Sequence, residues 1–235
     1  MTIAENVARV RARIAEACAR AGRSPDEVTL VAVSKHRPPE AIAEAAAAGL
    51  TDFGENRVEE AGEKLPQIDL PLTWHMVGHV QSRKAADVTR LFDVVQSVDS
   101  VKLARRLSRF AEGPLPVLLE VNVSGEAAKY GWQAAGWEHD RERRASLWDG
   151  AREVLALPNL RVVGLMTMAP IVDDMELARP VFVGLRRLRD ALAGDFPAVG
   201  WSHLSMGMTD DYPVAVEEGA TMVRIGRAIF EGTGG

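Results

Sequence analysis

Eight short runs rich in apolar and β-branched residues punctuate this chain, separated by segments whose apolar residues recur three and four positions apart. The runs fall near residues 29–34, 52–53, 73–77, 94–97, 116–123, 160–166, 201–204 and 221–225. Between them, helical spacing covers 39–48, 58–64, 82–91, 100–111, a segment ending near 156, 174–193 and 212–218. Strands that alternate with helices pair in parallel, because each helix returns the chain to the end where the next strand starts. Eight units is the count that closes, so the expected fold is α/β, a (β/α)8 TIM barrel spanning residues 1–235 as one domain. An additional helix at 3–20, stopped by Gly22, precedes the first strand. An open doubly wound sheet is the alternative, but the chain lacks the G-x-G-x-x-G turn of that fold. With 235 residues, 47% of them hydrophobic, there is material for a large core.

Charge and cysteine usage narrow the class of partner. A formal net charge of -5 and a pI near 5.6 argue against a polyanion, and no face-long basic stripe is apparent, so no nucleic acid is expected. The arginines at 141–144 and 186–189 read as solvated helix faces. The single Cys18 leaves no intrachain disulfide and no multi-cysteine metal site, and no metal is expected. Its spacing from Val7, Val10 and Ile14 places it on the apolar side of the first helix. No run reaches membrane-spanning length, and Glu5, Arg9, Arg11, Arg13 and Glu16 do not form a signal-peptide core, so a cytoplasmic protein is expected.

In such a barrel the carboxyl ends of the strands face one mouth, where ligands bind. The residues falling there are Lys35, Glu55 and Asn56, His75 with Gly78 and His79, Gln96 and Ser97, Asn122, Met166 and Thr167, Ser205 with Gly207, and Arg224 with Gly226. Lys35, at the end of a buried strand, is expected to lose some hydration, which frees its amine for Schiff-base chemistry; a lysine reaching out to solvent is the plainer reading. After the last two strands, Ser205-Met206-Gly207-Met208-Thr209 and Arg224-Ile225-Gly226-Arg227 fall where barrels hold phosphate on backbone N–H groups. A lysine on one side of the mouth and a phosphate pocket on the other describe a ligand with an aldehyde head and a phosphate tail.

Six segments, Val33-Ser34-Lys35, Phe53-Gly54-Glu55-Asn56-Arg57, Trp74 through Gln81, Gly164-Leu165-Met166-Thr167-Met168, Leu204 through Met208 and Met222 through Gly226, closely resemble the YggS/PROSC family of pyridoxal phosphate homeostasis proteins. The resemblance runs from about Val31 to Glu231 and implies the barrel of alanine racemase. It implies pyridoxal 5'-phosphate as cofactor, held as a Schiff base on Lys35. Ser205, Gly226 and Arg227 look like the phosphate binders, Arg224 like the partner of the pyridine nitrogen, Asn56 like a neighbour of the ring, and Met166 like an apolar residue near its face. Two features depart from the pattern. Position 227 is often a small hydroxyl residue in such motifs and here is arginine, so only its backbone is carried over. The segment 133–144, with Trp132, Trp137 and Trp148, has no assigned role.

Pyridoxal enzymes that stabilise carbanions strongly place a carboxylate on the ring nitrogen. Arg224, far too basic to give up its proton, leaves that nitrogen unprotonated and the electron sink weak. Racemisation would then need a base on each face of the substrate. Lys35 supplies one; Tyr130, Tyr212, His75 and His79 are the candidates for the other, each with a packing or hydrogen-bonding role as its plainer explanation. In alanine racemases the opposite base is a tyrosine of an additional domain, and this chain stops soon after its eighth strand. Three readings stand: a monomeric carrier that holds pyridoxal phosphate and releases it to apo-enzymes, a weak pyridoxal-dependent amino-acid racemase, and a sugar-phosphate barrel with Lys35 as an aldolase-type lysine.

Overall fold

The eight runs close into a ring. In a computed structural model, described over residues 1–231, the barrel strands are β1 (Thr29–Val33), β2 (Asp52–Glu55), β3 (Thr73–Met76), β4 (Val94–Val98), β5 (Leu115–Asn122), β7 (Leu160–Met166), β8 (His203–Ser205) and β9 (Met222–Ile225). They run β4-β3-β2-β1-β9-β8-β7-β5, all parallel, and β4 pairs with β5 to close the circle. A two-residue strand, β6 (Trp132–Gln133), adds to β5 from outside the ring. In this order β1 and β5 are four steps apart in either direction, on opposite walls of the barrel.

Helices α2 (Pro39–Ala47), α3 (Val58–Lys64), α4 (Ala85–Leu91), α5 (Val101–Phe110), α6 (Arg141–Leu155), α7 (Arg179–Asp195), α8 (Tyr212–Glu217) and α9 (Arg227–Phe230) follow the strands. The expected extra helix is α1 (Ile3–Arg20), opened by a capping box in which Thr2 and Glu5 satisfy each other's backbone N–H. It buries Val7, Val10, Ile14 and Cys18 against α2, α8 and α9, and the Asn6 amide donates to the Ile229 carbonyl at 2.9 Å. No described helix is long and apolar enough to cross a membrane.

Several boundaries differ from expectation for local reasons. Residues 82–84 and 175–178 form 3-10 turns ahead of α4 and α7. The strand expected at 201–204 begins only at His203, because tight turns bond Trp201 N–H to Val199 O and Ser202 N–H to Gly200 O. Ser205 thereby moves inside the strand. The tryptophans without an assigned role are packing elements: Trp132 donates to the Val98 carbonyl at 2.9 Å, Trp137 and Trp148 lie 5.5 Å apart, and the Arg144 guanidinium covers the Trp148 ring at 4.7 Å. Contrary to the expectation of no basic stripe, α5 presents Lys102, Arg105, Arg106 and Arg109 along one exposed face.

The apolar core lies between sheet and helices. The barrel interior is different. Register aligns Glu120 with Met166, Met166 with Ser205 and Ser205 with Met222, so these side chains share one face. Leu118, Val163, Met166 and Met222 form a small apolar plug, and the buried polar side chains of Gln96, Ser205 and Arg224 share the interior with Val31.

Candidate functional site

Two clusters of buried polar groups flank the mouth. The first surrounds Lys35. Ser34 extends the β1 pairing by donating its N–H to Gly54 O, and the Arg37 N–H then closes a tight turn onto Ser34 O at 3.0 Å. Lys35 and His36 are the central residues of that turn, and His36 has φ 61. The turn lifts Lys35 clear of the strand end. Its side chain is exposed and makes no hydrogen bond or ion pair among the described residues, so the partial dehydration expected of it is not what the fold provides.

Beneath the turn lies Lys64, whose side chain is 7% exposed. Its ammonium donates to Ser34 O at 2.9 Å and to Glu60 Oε1 at 2.8 Å, and pairs with Glu55 Oε1 at 2.8 Å. Glu55 also accepts from Ser34 Oγ at 2.6 Å. Burial pushes the Glu55 carboxyl up against the pull of Lys64 and Ser34. Burial also opposes Glu60, but Lys64 and the His36 N–H hold it below its usual range.

The second cluster crosses the barrel. Arg224 Nη1 donates to Ser205 Oγ at 2.6 Å, and Ser205 donates to Gln96 Oε1 at 2.6 Å. Gln96 Nε2 meets His75 Nδ1 at 3.0 Å, and His75 Nε2 meets Asp52 Oδ1 at 3.0 Å. One orientation satisfies every link: the Gln96 amide donates to Nδ1 and the imidazole N–H on Nε2 donates to the carboxylate. Arg224 Nη2 donates separately to Thr167 O at 2.8 Å. Burial lowers the Arg224 pKa to about 10, opposed by Asp211 and Glu120, so it departs from the ordinary arginine value yet stays a cation at neutral pH. Glu120 is 3% exposed with an unpartnered Oε2, and burial with the nearby Asp99 charge raises its carboxyl to about 7, against the pull of Arg224.

The structure brings most of the expected residues to this region, though not all in the expected manner. Ser205 lies within a strand instead of in the loop after it, and Arg224 lies within the expected strand; both are buried and face inward. The Ser205 hydroxyl sits beside Arg224, and reaches a ligand phosphate only by exchanging one of its present bonds. Met166 is fully buried in the apolar plug. Asn56 is half-buried with a shielded, unpartnered Oδ1, and a Cβ on Gly78 would approach Asn56 O to 2.2 Å, so that glycine is what lets the two loops meet. Gly226 rests on the end of β1, where an added Cβ would lie 3.2 Å from Val33 O. The Arg227 side chain turns outward to Asp210 Oδ2 at 2.5 Å.

Of the candidate second bases, His75 has both ring nitrogens engaged and Tyr212 is buried at 1% exposure. His79 Nδ1 lies 3.0 Å from Asp99 Oδ2, and its ring stacks on the exposed Tyr130 at 3.9 Å. Glu120 and Lys64 are absent from the strand-end list. Glu120 had a signal, an acid alternating with Leu118 and Asn122 inside an otherwise apolar run. Lys64 had none beyond its Glu60 spacing. Among the described residues no cluster of three or more His, Cys, Asp or Glu is arranged to hold a metal ion.

These groups fit a polar ligand carrying an aldehyde: a free amine at Lys35, an orphaned oxygen at Asn56, and a buried guanidinium with three of its five N–H donors unused. Residues 5–233 match the family described as the alanine racemase N-terminal domain. A pyridoxal phosphate homeostasis protein from Pseudomonas aeruginosa is 46% identical over 233 residues, covering 97% of this chain and 95% of its own. The structure of PipY from Synechococcus elongatus with pyridoxal phosphate bound superposes with a TM-score of 0.83 at 35% identity, over 97% of this chain and all of that one. Alanine racemase from Corynebacterium glutamicum shares the fold, with a TM-score of 0.65 at 19% identity over 59% of its length. By identity, extent and fold together, the chain belongs to the family of pyridoxal phosphate homeostasis proteins, built on the alanine racemase N-terminal barrel.

Proposed function

We propose that the barrel mouth holds pyridoxal 5'-phosphate reversibly on Lys35 and releases it to apo-enzymes, so that the protein limits free aldehyde in the cell. The observation that carries this is Lys35 itself, an unpaired amine held above a barrel interior where Arg224 retains spare donors. When bound, the cofactor supplies an aldehyde that a lysine amine captures with loss of one water. Arg224 would donate to the ring nitrogen and leave it unprotonated, Asn56 and Met166 would border the ring, and the backbone N–H groups of Gly226 and Arg227 would hold the phosphate. Ser205 accepts from Arg224 and orients it, and would join the phosphate site by exchanging its bond to Gln96. The relatives support the reading, one as a pyridoxal phosphate homeostasis protein and one by the cofactor in its structure. We place the protein in the cytoplasm, as a monomer, beside the enzymes it would supply.

The racemase reading draws on one specific observation, the His79 and Asp99 pair at the mouth. One experiment separates the two. Loaded protein is mixed with an apo pyridoxal enzyme and, separately, with an amino acid in deuterated water. A carrier restores the apo-enzyme's activity and exchanges the α-proton no faster than free cofactor does. Exchange well above that background, without restoration, would replace the carrier reading with the enzyme.

A further inference from the structure

Lys35 sits in a turn that its own sequence does not favour. His36 holds φ 61 at the third position of the Ser34–Arg37 turn, a left-handed conformation that is unfavourable for a non-glycine residue. Such a residue persists only where its surroundings over-determine it. Three contacts do so here: the His36 N–H donates to Glu60 Oε1 at 2.5 Å, Ser34 O accepts from Lys64 at 2.9 Å, and Ser34 Oγ donates to Glu55 Oε1 at 2.6 Å. All three converge on one ammonium, because Lys64 also lies 2.8 Å from both carboxylate oxygens concerned.

We propose that Lys64, acting through Glu55 and Glu60, is a positioning residue that clamps the Ser34–Arg37 turn and fixes the direction in which Lys35 presents its amine to the ligand. The proposal rests on Lys35 being the covalent anchor. In that step the neutral Lys35 amine adds to the aldehyde carbon, and its two protons leave with the carbonyl oxygen as water. Lys64 makes no bond to the ligand; it restricts the backbone from which the amine is delivered. A four-carbon lysine side chain in solvent loses much of its approach geometry if the backbone beneath it also wanders.

The test uses the full chain and three variants, Lys64→Met, Glu60→Ala and Lys64→Met with His36→Gly. Without cofactor, backbone hydrogen exchange across residues 34–37 is expected to rise on the order of 10-fold in the first two, the equivalent of one charged hydrogen bond. With pyridoxal phosphate, the rate of forming a borohydride-reducible adduct on Lys35 should fall on the order of 10- to 100-fold. Glycine at 36 makes the turn inexpensive, so the double variant should recover most of that rate, which a purely structural role for Lys64 would not allow. Glu60 is half-buried, so its variant retains the fold should Lys64→Met fail. Exchange and adduct rates equal to wild type in Glu60→Ala, or no recovery with glycine, would overturn the clamp. If wild type forms no Lys35 adduct, the cofactor reading falls, while the exchange measurement still decides whether the turn is clamped.

Discussion

Two buried cations lie within the barrel's upper half, and they are satisfied in opposite ways. Lys64 has three N–H donors and three close acceptors, two of them carboxylates in direct contact. Arg224 has five donors, two close acceptors that are both neutral, and its carboxylates Glu120 and Asp211 only at longer range. A cation whose every proton is spoken for is part of the scaffold. A cation with spare donors, held without a contacting counter-charge, is prepared for something that arrives later. On the proposed function, the contrast separates the residues that hold the mouth from those that would meet the ligand.

The largest effect should come from the saturated cation. Lys64→Met leaves Glu55 and Glu60 unpaired in or near the interior, and should lower stability to denaturant by about 3–5 kcal/mol. A loss below about 1 kcal/mol would mean that the cluster is solvated and the contrast with Arg224 is false.

Glu120 tests the other half through pH. Its folded pKa, about 7, lies above the ordinary 4.5, so between those values the folded state keeps a proton that the unfolded chain has lost. The stabilisation is full below pH 4.5 and fades as pH rises through 7, amounting to on the order of 3 kcal/mol. Denaturation of Glu120→Gln across this window should show a flatter pH dependence than wild type. An unchanged slope would show that Glu120 is already ionised beside Arg224.

Arg224→Met should divide the readouts. Removing an imperfectly compensated buried cation should change stability by about 1 kcal/mol or less, whereas losing its hydrogen bond to the ligand should weaken pyridoxal phosphate binding by about 1.5–3 kcal/mol. Equilibrium dialysis and thermal unfolding on the same sample make the comparison. The smallest effect belongs to Arg227→Ala, which breaks an exposed pair with Asp210 and should shift both stability and affinity by less than about 0.5 kcal/mol.

How far the sequence reveals this site follows from which distances carry the information. Strand and helix alternation is a local periodicity, and the barrel follows from counting it. The motif segments likewise put Lys35, Asn56, Ser205 and Arg224 in one neighbourhood. What stays hidden is the side of the sheet on which a polar residue faces. The spacing places Ser205 just past a strand, whereas it lies in β8, because turns at 199–202 delay the strand by two residues. Lys64, four residues after Glu60, reads as an ordinary solvated helix pair, and only the packing of α3 beneath the Ser34 turn shows it to be buried. Trp132 had no legible role because its partner, Val98 O, is 34 residues away.

The central claim is that Lys35 is the covalent anchor. Wild type and Lys35→Ala, each with equimolar pyridoxal phosphate, are reduced with borohydride, and their intact and peptide masses are compared. The account predicts one reduced phosphopyridoxyl group in wild type, on the peptide carrying Lys35, and none in the variant. Equal labelling of both proteins, or a single adduct on another lysine, would contradict it.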